Sequence, residues 1–156
     1  MFMSGSPSPS LAAAIASLQR LNELFQRRRR QLAQSVGLSE QQWEALEQIA
    51  TEHFMPSLFA RQRSSSAAAV SKILRQLLQK DLVTVRLREQ DARCRRYELS
   101  QRGRLALETL RKQRSRAIQE VWESFDPVEI ESFARFGARL ADRLERYSES
   151  YEKGKK

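Results

Sequence analysis

The segment DARCRRYELSQRG, Asp91–Gly103, constrains the fold of this chain more than any other. It places an arginine-dense turn before a short strand pattern, in which Tyr97 and Leu99 alternate with charged residues, and then a new helix start. Just upstream, residues 83–88 (VTVRLR) alternate apolar and polar side chains, as a strand with one buried face does. We therefore predict an antiparallel ribbon with a basic tip. The inward positions of its first strand are Val83, Val85 and Leu87.

A helix pattern with two distinct faces precedes this ribbon, over residues 63–82 (RSSSAAAVSKILRQLLQKDL). Any of Ser64, Ser65 and Ser66 can cap its start, because a serine hydroxyl accepts a hydrogen bond from a free backbone amide. The outward face is small and polar near the start and basic in the middle, which is typical of a helix that enters a groove of DNA. The inward face is Val70, Ile73, Leu74 and Leu77. The outward face is Ala68, Ser71, Lys72, Arg75 and Gln79.

A long amphipathic helix is predicted near the start of the chain. From Leu11 the apolar residues recur at helical spacing until Gly37 interrupts them. The helix contains a run of four arginines, Arg27–Arg30, which is either a solvated face, a phosphate contact or a site for an anionic ligand.

The second helix starts within LSEQQW, where Ser39 and Gln42 can form a capping box. We expect this helix to fray near His53, because Pro56 restricts the residue before it and has no amide proton. A short helix then covers residues 57–62. The predicted apolar face of the second helix is Trp43, Leu46, Ile49 and Ala50.

Two helices follow the ribbon. Ser100 can cap the first and Asp126 the second, with Pro127 in the favoured first position. Together with the first helix they carry more apolar surface than a monomer of 156 residues can easily bury. We therefore predict that the first and the last two helices intertwine with a partner subunit in a homodimer. The apolar positions of the last two helices are Leu107, Leu110, Ile118, Val121, Trp122, Phe125, Phe133, Phe136, Leu140, Leu144 and Tyr147.

The formal net charge of +9 indicates a polyanionic partner. Between Arg61 and Arg104 twelve Lys and Arg outnumber four Asp and Glu, so nearly all of the excess positive charge lies in this third of the chain.

Cys94 and His53 are the single cysteine and histidine, too few for a disulfide or a structural zinc site, and we expect no cofactor. Since no apolar run is long enough for a membrane and no secretory signal is evident, we expect a cytoplasmic protein.

Two other classes of function compete with DNA binding. An enzyme needs a base, a nucleophile or a carboxylate pair in a pocket, and one histidine, one cysteine and no glycine-rich phosphate loop argue against it. The alternative is a basic helical module that binds RNA or protein without sequence-specific DNA recognition. RNA recognition relies on exposed aromatic side chains, whereas the basic segment contains only Tyr97, at an inward position.

The order of these elements resembles the MarR family of bacterial winged helix-turn-helix transcription regulators. The motif match runs from about Phe59 to Gly103, and the architecture from about Leu11 to Tyr151. The matching residues are Leu82 and Val83 for the family's Leu-Val, Asp91 and Arg93 for the first and third of Asp-Arg-Arg, Leu99 with Ser100 for Leu-Thr, and Gly103 for a glycine three residues on.

The resemblance implies a mainly α fold with a small β-ribbon, a winged helix-turn-helix flanked by N- and C-terminal dimerisation helices. The implied parts are a flexible leader (1–10), an N-terminal dimerisation helix (11–36), a DNA-binding lobe (38–103), C-terminal dimerisation helices (104–151) and a basic tail (152–156).

Three residues depart from the family pattern. Asp81 replaces a helix-ending glycine, a turn that aspartate tolerates better than most residues. Ala92 removes an arginine from the ribbon tip, and Arg63 replaces an apolar residue.

The resemblance also implies a homodimer on a pseudo-palindromic operator of double-stranded DNA. Arg93 would enter the minor groove beside the recognition site, and Asp91 would orient an arginine rather than touch DNA. The outward face of the recognition helix would contact the major groove. The predicted DNA-binding residues are Ser64, Ser65, Ser66, Ala68, Ser71, Lys72, Arg75, Arg86, Arg88, Asp91, Arg93 and Arg95.

Members of the family often bind small aromatic or phenolic anions, so the resemblance implies a ligand-responsive repressor. The candidate effector-binding residues are Arg27, Trp43, His53 and Phe54. Trp43 can instead pack on Leu38 in the core, and His53 can instead face solvent. Cys94 lies at the basic tip, where nearby arginines favour a thiolate, but the sequence shows no resolving partner for a redox switch.

Overall fold

The computed structural model of this chain describes residues 8–51, 53–88 and 91–153. These residues form six helices and one antiparallel pair of strands, which confirms the predicted class, mainly α with a small β-ribbon. The elements are α1 (Pro9–Ser35), α2 (Glu40–Ile49), α3 (Pro56–Gln62), α4 (Ala67–Gln79), β1 (Val83–Arg88), β2 (Asp91–Leu99), α5 (Gln101–Trp122) and α6 (Pro127–Lys153). Two compact units divide within α5, between Gln113 and Arg114. None of the described helices has an apolar stretch that would cross a bilayer.

Helix α1 begins at Pro9 rather than at Leu11. The Ser8 hydroxyl accepts a hydrogen bond from the Leu11 amide at 3.3 Å, and Pro9 lies in the first turn, where its missing amide proton costs nothing. Residues 8–10, predicted as the end of a flexible leader, therefore belong to the helix and its cap. α1 buries only Leu32 and Ala33, near its end.

The start of α2 is the predicted capping box. The Ser39 hydroxyl accepts from the Gln42 amide at 3.2 Å, and the Gln42 side-chain oxygen accepts from the Ser39 amide at 3.1 Å. Leu38 and Trp43 are both buried in the same apolar core. The helix start is thus specified by residues within one turn of each other.

The end of α2 corrects the prediction. The helix stops at Ile49 rather than near His53, because a tight turn forms first. The amide and the hydroxyl of Thr51 both donate to the Gln48 carbonyl, at 3.1 and 2.6 Å. Ala50, predicted on the apolar face, caps the helix and is exposed, since the chain leaves the helix there.

Three helices end in a left-handed residue. Gly37 follows α1 with φ 72°, Ser64 follows α3 with φ 49°, and Asp81 follows α4 with φ 55°. In each turn the left-handed residue and its successor donate their amides to carbonyls of the last helical turn, which is the Schellman arrangement. The predicted role of Asp81 in place of a helix-ending glycine is confirmed.

Helix α4 has the predicted cap and the predicted inward face. Ser66 is the cap among the three serines, since its hydroxyl accepts from the Ala69 amide at 3.1 Å. The buried residues of α4 are Val70, Ile73, Leu74 and Leu77. This stripe packs α4 into a core that Leu46 of α2 and Leu110 of α5 share.

The ribbon is anchored at its base alone. Val83 is opposite Leu99 and Val85 is opposite Tyr97, in antiparallel register. Val83 is buried, but Val85 is 43% exposed, which corrects the prediction that β1 buries a continuous face. Tyr97 and Leu99 are half-buried against the core. The alternation of residue types is right, but the core ends before the strand does.

Ser100 joins the ribbon, α4 and α5. Its hydroxyl accepts from the Gly103 amide at 3.0 Å, which confirms it as the cap of α5, and donates to the Asp81 carbonyl at 2.7 Å. Its amide donates to the Leu82 carbonyl at 3.1 Å. A Cβ at Gly103 would collide with that carbonyl oxygen, so glycine is required there. The base of the ribbon is thereby held against the end of α4.

The second unit contains the end of α5 and all of α6. As predicted, Asp126 caps α6, with its carboxylate accepting from the Val128 amide at 2.7 Å and Pro127 in the first turn. Over residues 127–151 α6 has no buried side chain. Its exposed apolar residues include Val128, Phe133, Phe136, Leu144 and Tyr147.

Candidate nucleic-acid interface

The outward side of α4 is exposed along its whole length. We call its residues Ala68, Ser71, Lys72, Arg75 and Gln79 the α4 face. Ala68 and Ser71 are small, so the first two turns can approach another surface closely. Lys72 and Arg75 follow, and within the described residues neither forms an ion pair. The α4 face therefore combines close approach with available positive charge, as the sequence predicted.

The serines before α4 differ in their roles. Ser66 uses its hydroxyl as the helix cap and is exposed, Ser65 is half-buried, and Ser64 is exposed in the left-handed turn after α3. The three serines directly precede the first turn of α4, which begins at Ala67. Ser64 and Ser66 are therefore accessible at the end of the helix that carries the small residues.

Charge on the ribbon is partly neutralised. Arg86 and Arg96 are opposite each other in the register, and both lie near the Glu98 carboxylate, with nitrogen–oxygen distances of 3.6 and 3.1 Å. Arg95 is exposed and has no ion pair within the described residues. Sequence reasoning missed the role of Glu98. The signal was available, because cross-strand pairing of Arg86 with Arg96 brings two like charges together and favours an acid between them.

The ribbon tip holds the remaining predicted DNA contacts. Arg88 is the last residue of β1, and Asp91 and Arg93 are in β2; Arg88 is opposite Asp91, and the register shifts between Leu87 and Arg88. The backbone of these residues is described, whereas their side chains and that of Cys94 lie outside the described residues. The roles predicted for Arg88, Asp91, Arg93 and Cys94 remain predictions.

Arg63, which departs from the family pattern, has an internal partner. Its guanidinium forms an ion pair with the Glu44 carboxylate and lies 5.5 Å from the centre of the Phe59 ring. The side chain is half-buried between α2 and α3. The arginine thus fills the place of an apolar residue by packing its guanidinium on an aromatic ring.

The four candidate effector residues do not form one site. Trp43 is buried in the core, as the alternative interpretation held, and the Arg29 guanidinium, rather than that of Arg27, lies 4.9 Å from its ring centre. Arg27 is exposed on α1. Only His53 and Phe54 share a cleft.

This cleft, of about 720 Å³, opens between the segment after α2, strand β2 and the start of α5. Phe54 packs edge-on against Tyr97 with ring centres 6.1 Å apart, so one wall is aromatic. Arg95, Arg96 and Arg104 also line the cleft. Its walls therefore combine aromatic surface with guanidinium groups, and Arg104 is a member that sequence reasoning missed.

Comparison with known proteins places this geometry in a known fold. No protein-family model matches the chain, and a search of curated proteins finds no match. Among solved structures, a MarR family transcription regulator superposes with a TM-score of 0.78 at 18% identity, over 90% of this chain and 93% of that one. YusO from Bacillus subtilis superposes with a TM-score of 0.71 at 21% identity, over 88% of this chain and 99% of that one.

A mutant of S. aureus MepR, solved bound to an oligodeoxyribonucleotide, also has this fold. Its TM-score is 0.64 at 16% identity, over 84% of this chain and 97% of that one. The fold that the sequence predicted, a mainly α winged helix-turn-helix with a small β-ribbon, is therefore confirmed, and it is similar to the fold of MarR family regulators.

Proposed function

We propose that this chain is a sequence-specific transcription regulator that binds double-stranded DNA as a homodimer. One observation carries the proposal: the α4 face is small, polar and basic, is exposed, and belongs to a fold in which a related structure was solved with an oligodeoxyribonucleotide. An α-helix fits the major groove, where each base pair presents a distinct pattern of donors and acceptors.

The α4 face supplies two kinds of contact. Ala68 and Ser71 let the first turns of α4 reach the base edges, and Lys72 and Arg75 extend from the middle of the helix. Each good bidentate contact to a base contributes about 1–3 kcal/mol of discrimination. Arg95 and, by family resemblance, Arg93 on the wing would bind phosphates and the adjacent minor groove. Recognition is thus divided between the helix and the ribbon.

The homodimer rests on exposed apolar stripes at helical spacing. On α1, Leu11, Ile15, Leu18 and Leu21 are each at least 38% exposed, and on α6 Phe133, Phe136 and Leu144 are each at least 48% exposed. A soluble monomer rarely leaves such continuous apolar surface in water. Two subunits would place their recognition helices about 34–36 Å apart, on half-sites of a pseudo-palindromic operator.

Selection from a pool of random-sequence duplexes tests the DNA proposal. We expect the protein to enrich one pseudo-palindromic sequence and to bind it at least about a thousandfold more tightly than random duplex at physiological salt. The K72A and R75A variants should change the enriched sequence or reduce that ratio, because they remove contacts from the α4 face. E108Q, on the exposed side of α5, is the matched control and should leave the selection unchanged.

The alternative module, which binds RNA or protein, predicts a different result of this experiment. It would show no enriched duplex and equal affinity for all duplexes, with K72A and R75A changing only the salt dependence. That outcome would refute sequence-specific DNA recognition.

We further propose that an aromatic or phenolic anion acts as the effector that releases a repressor from DNA, and that it binds in the cleft beside Phe54. The aromatic side chains of the cleft would pack against the ring of the effector, and Arg104 would pair with its anionic group. Arg95 lines the same cleft and is also a candidate DNA contact, so it would link effector binding to DNA binding.

A thermal-shift screen of aromatic carboxylates and phenols, followed by a measurement of release from the selected duplex, tests this proposal. R104A should abolish the shift, whereas R111A, about two turns further along α5, should retain it. A shift that R104A leaves intact would exclude this cleft.

A further inference from the structure

A buried amide links α2 to the end of α4. Gln42 is 6% exposed, the single buried polar side chain in the described part of the core. Its oxygen accepts from the Ser39 amide at 3.1 Å and from Lys80 Nζ at 3.0 Å, and its nitrogen donates to Gln76 Oε1 at 3.0 Å. Because a backbone amide and an ammonium group only donate, the orientation of the Gln42 amide is determined.

Lys80 extends this network to a third segment. Lys80 is the residue that caps the end of α4, and its Nζ also donates to the Gly37 carbonyl at 2.6 Å. Gly37 is the left-handed residue in the turn between α1 and α2. The ammonium group therefore ties the last turn of α4 to the α1–α2 turn and to α2 at once, and hydrogen bonds to a charged donor are about twice as strong as neutral ones.

The position of this network matters for the α4 face. The apolar stripe that packs α4 is non-directional, so it permits small rotations of the helix, whereas hydrogen bonds are directional. Ala68, at the other end of α4, is about 18 Å along the helix axis from Lys80. A tilt of about 5° at Lys80 would move Ala68 by about 1.5 Å, which is enough to lose a base contact.

We propose that Gln42, Gln76 and Lys80 form a clamp that sets the orientation of α4 for base recognition. Lys80 is accordingly a positioning residue and makes no phosphate contact, although it belongs to the most basic third of the chain. The proposal rests on the proposed function, because it concerns how α4 reads DNA, and it adds residues that lie outside the α4 face.

The first arm of the test measures DNA binding by full-length variants at a temperature where each is fully folded by circular dichroism. The probes are the duplex that the wild-type protein enriches and a random duplex. K80M should weaken binding to the enriched duplex about tenfold, the cost of about one base contact, and change binding to random duplex by less than about twofold. The slope of affinity against salt should stay at its wild-type value, whereas removal of a phosphate contact lowers it by about 0.9.

Matched variants separate positioning from loss of stability. Q42L should reproduce the effect of K80M, because it removes the centre of the clamp. Q42E should retain wild-type selectivity, because it keeps both acceptors for Ser39 and Lys80 and lets the Gln76 amide rotate to donate. Q76L removes the half-buried Gln76 side chain from the clamp. If K80M fails to fold, Q76L gives the same comparison of binding to the enriched and the random duplex. A lower salt slope in K80M, or unchanged selectivity in folded K80M and Q42L, would overturn the proposal.

The second arm needs no DNA. In a double-mutant cycle of Q42L and K80M, the unfolding equilibrium constant should show a coupling of at least about threefold. Additive effects would overturn the clamp whatever the DNA result. Coupling in a protein that enriches no duplex would instead refute the proposed function and, with it, the role of the clamp in base recognition.

Discussion

Asp81 shows how a single residue can depart from a family pattern without changing the fold. Its φ of 55° lies in the left-handed region, where a Cβ costs about 1–2 kcal/mol and glycine is strain-free. The turn is retained because the surrounding bonds determine it: the Asp81 amide donates to Leu78, and its carbonyl accepts from Ser100. The strain is confined to Asp81, and the turn lets the chain leave α4 and enter β1 within three residues.

Asp81→Gly should therefore stabilise the protein. Relief of the left-handed strain outweighs the greater freedom of glycine in the unfolded chain, for a net gain of about 0.5–1 kcal/mol. Gln79→Gly is the matched control, since it places glycine on the same helix end in right-handed backbone and should cost up to about 1 kcal/mol. Urea unfolding at one fixed protein concentration measures both, and a loss of stability in Asp81→Gly would contradict this account.

At the scale of elements, helix starts could be predicted from the sequence and some ends could not. Ser39, Ser100 and Asp126 each cap a helix as predicted, and Ser66 does so as one of the three candidate serines, because a cap involves a side chain and an amide two or three residues away. The end of α2 differs, because Pro56 was expected to end that helix and the Thr51 turn closes it earlier. Local patterns therefore specify where a helix can start more firmly than where it stops.

The ribbon is the other element for which the sequence pattern predicted only part of the structure. Alternation identified both strands, but it assigned Val85 to a buried face that the core does not reach. Alternation reports which side of a strand a residue occupies, and burial depends on whether another element covers that side. In the described part of the chain, no element covers β1 beyond its base, so Val85 stays exposed.

At the scale of the whole molecule, the exposed apolar stripe of α6 should determine the oligomeric state. Phe136→Glu introduces a charge into this stripe and should convert a micromolar dimer to monomer, because an unpaired buried carboxylate is strongly unfavourable. Ala138→Glu adds the same charge to the opposite, polar side of α6 and should leave the dimer intact. Sedimentation velocity distinguishes the two results. A folded wild-type monomer at micromolar concentration, or equal behaviour of both variants, would refute dimerisation through α6.

The sequence by itself determined the helices, the ribbon and the basic outward face of α4. These follow from the periodicity of apolar residues and from caps, which act within one or two turns of chain. For the same reason it located the candidate DNA contacts as two groups, one on a helix and one on a ribbon.

The tertiary structure decided which distant residues meet. It pairs Arg63 with Glu44, gathers Arg86 and Arg96 around Glu98, and separates Trp43 from the cleft that His53 and Phe54 share. It also brings Lys80 to Gly37, which no local pattern indicated. Such contacts depend on how packed elements are placed in space, and the spacing of residues along a helix or a strand carries no record of that placement.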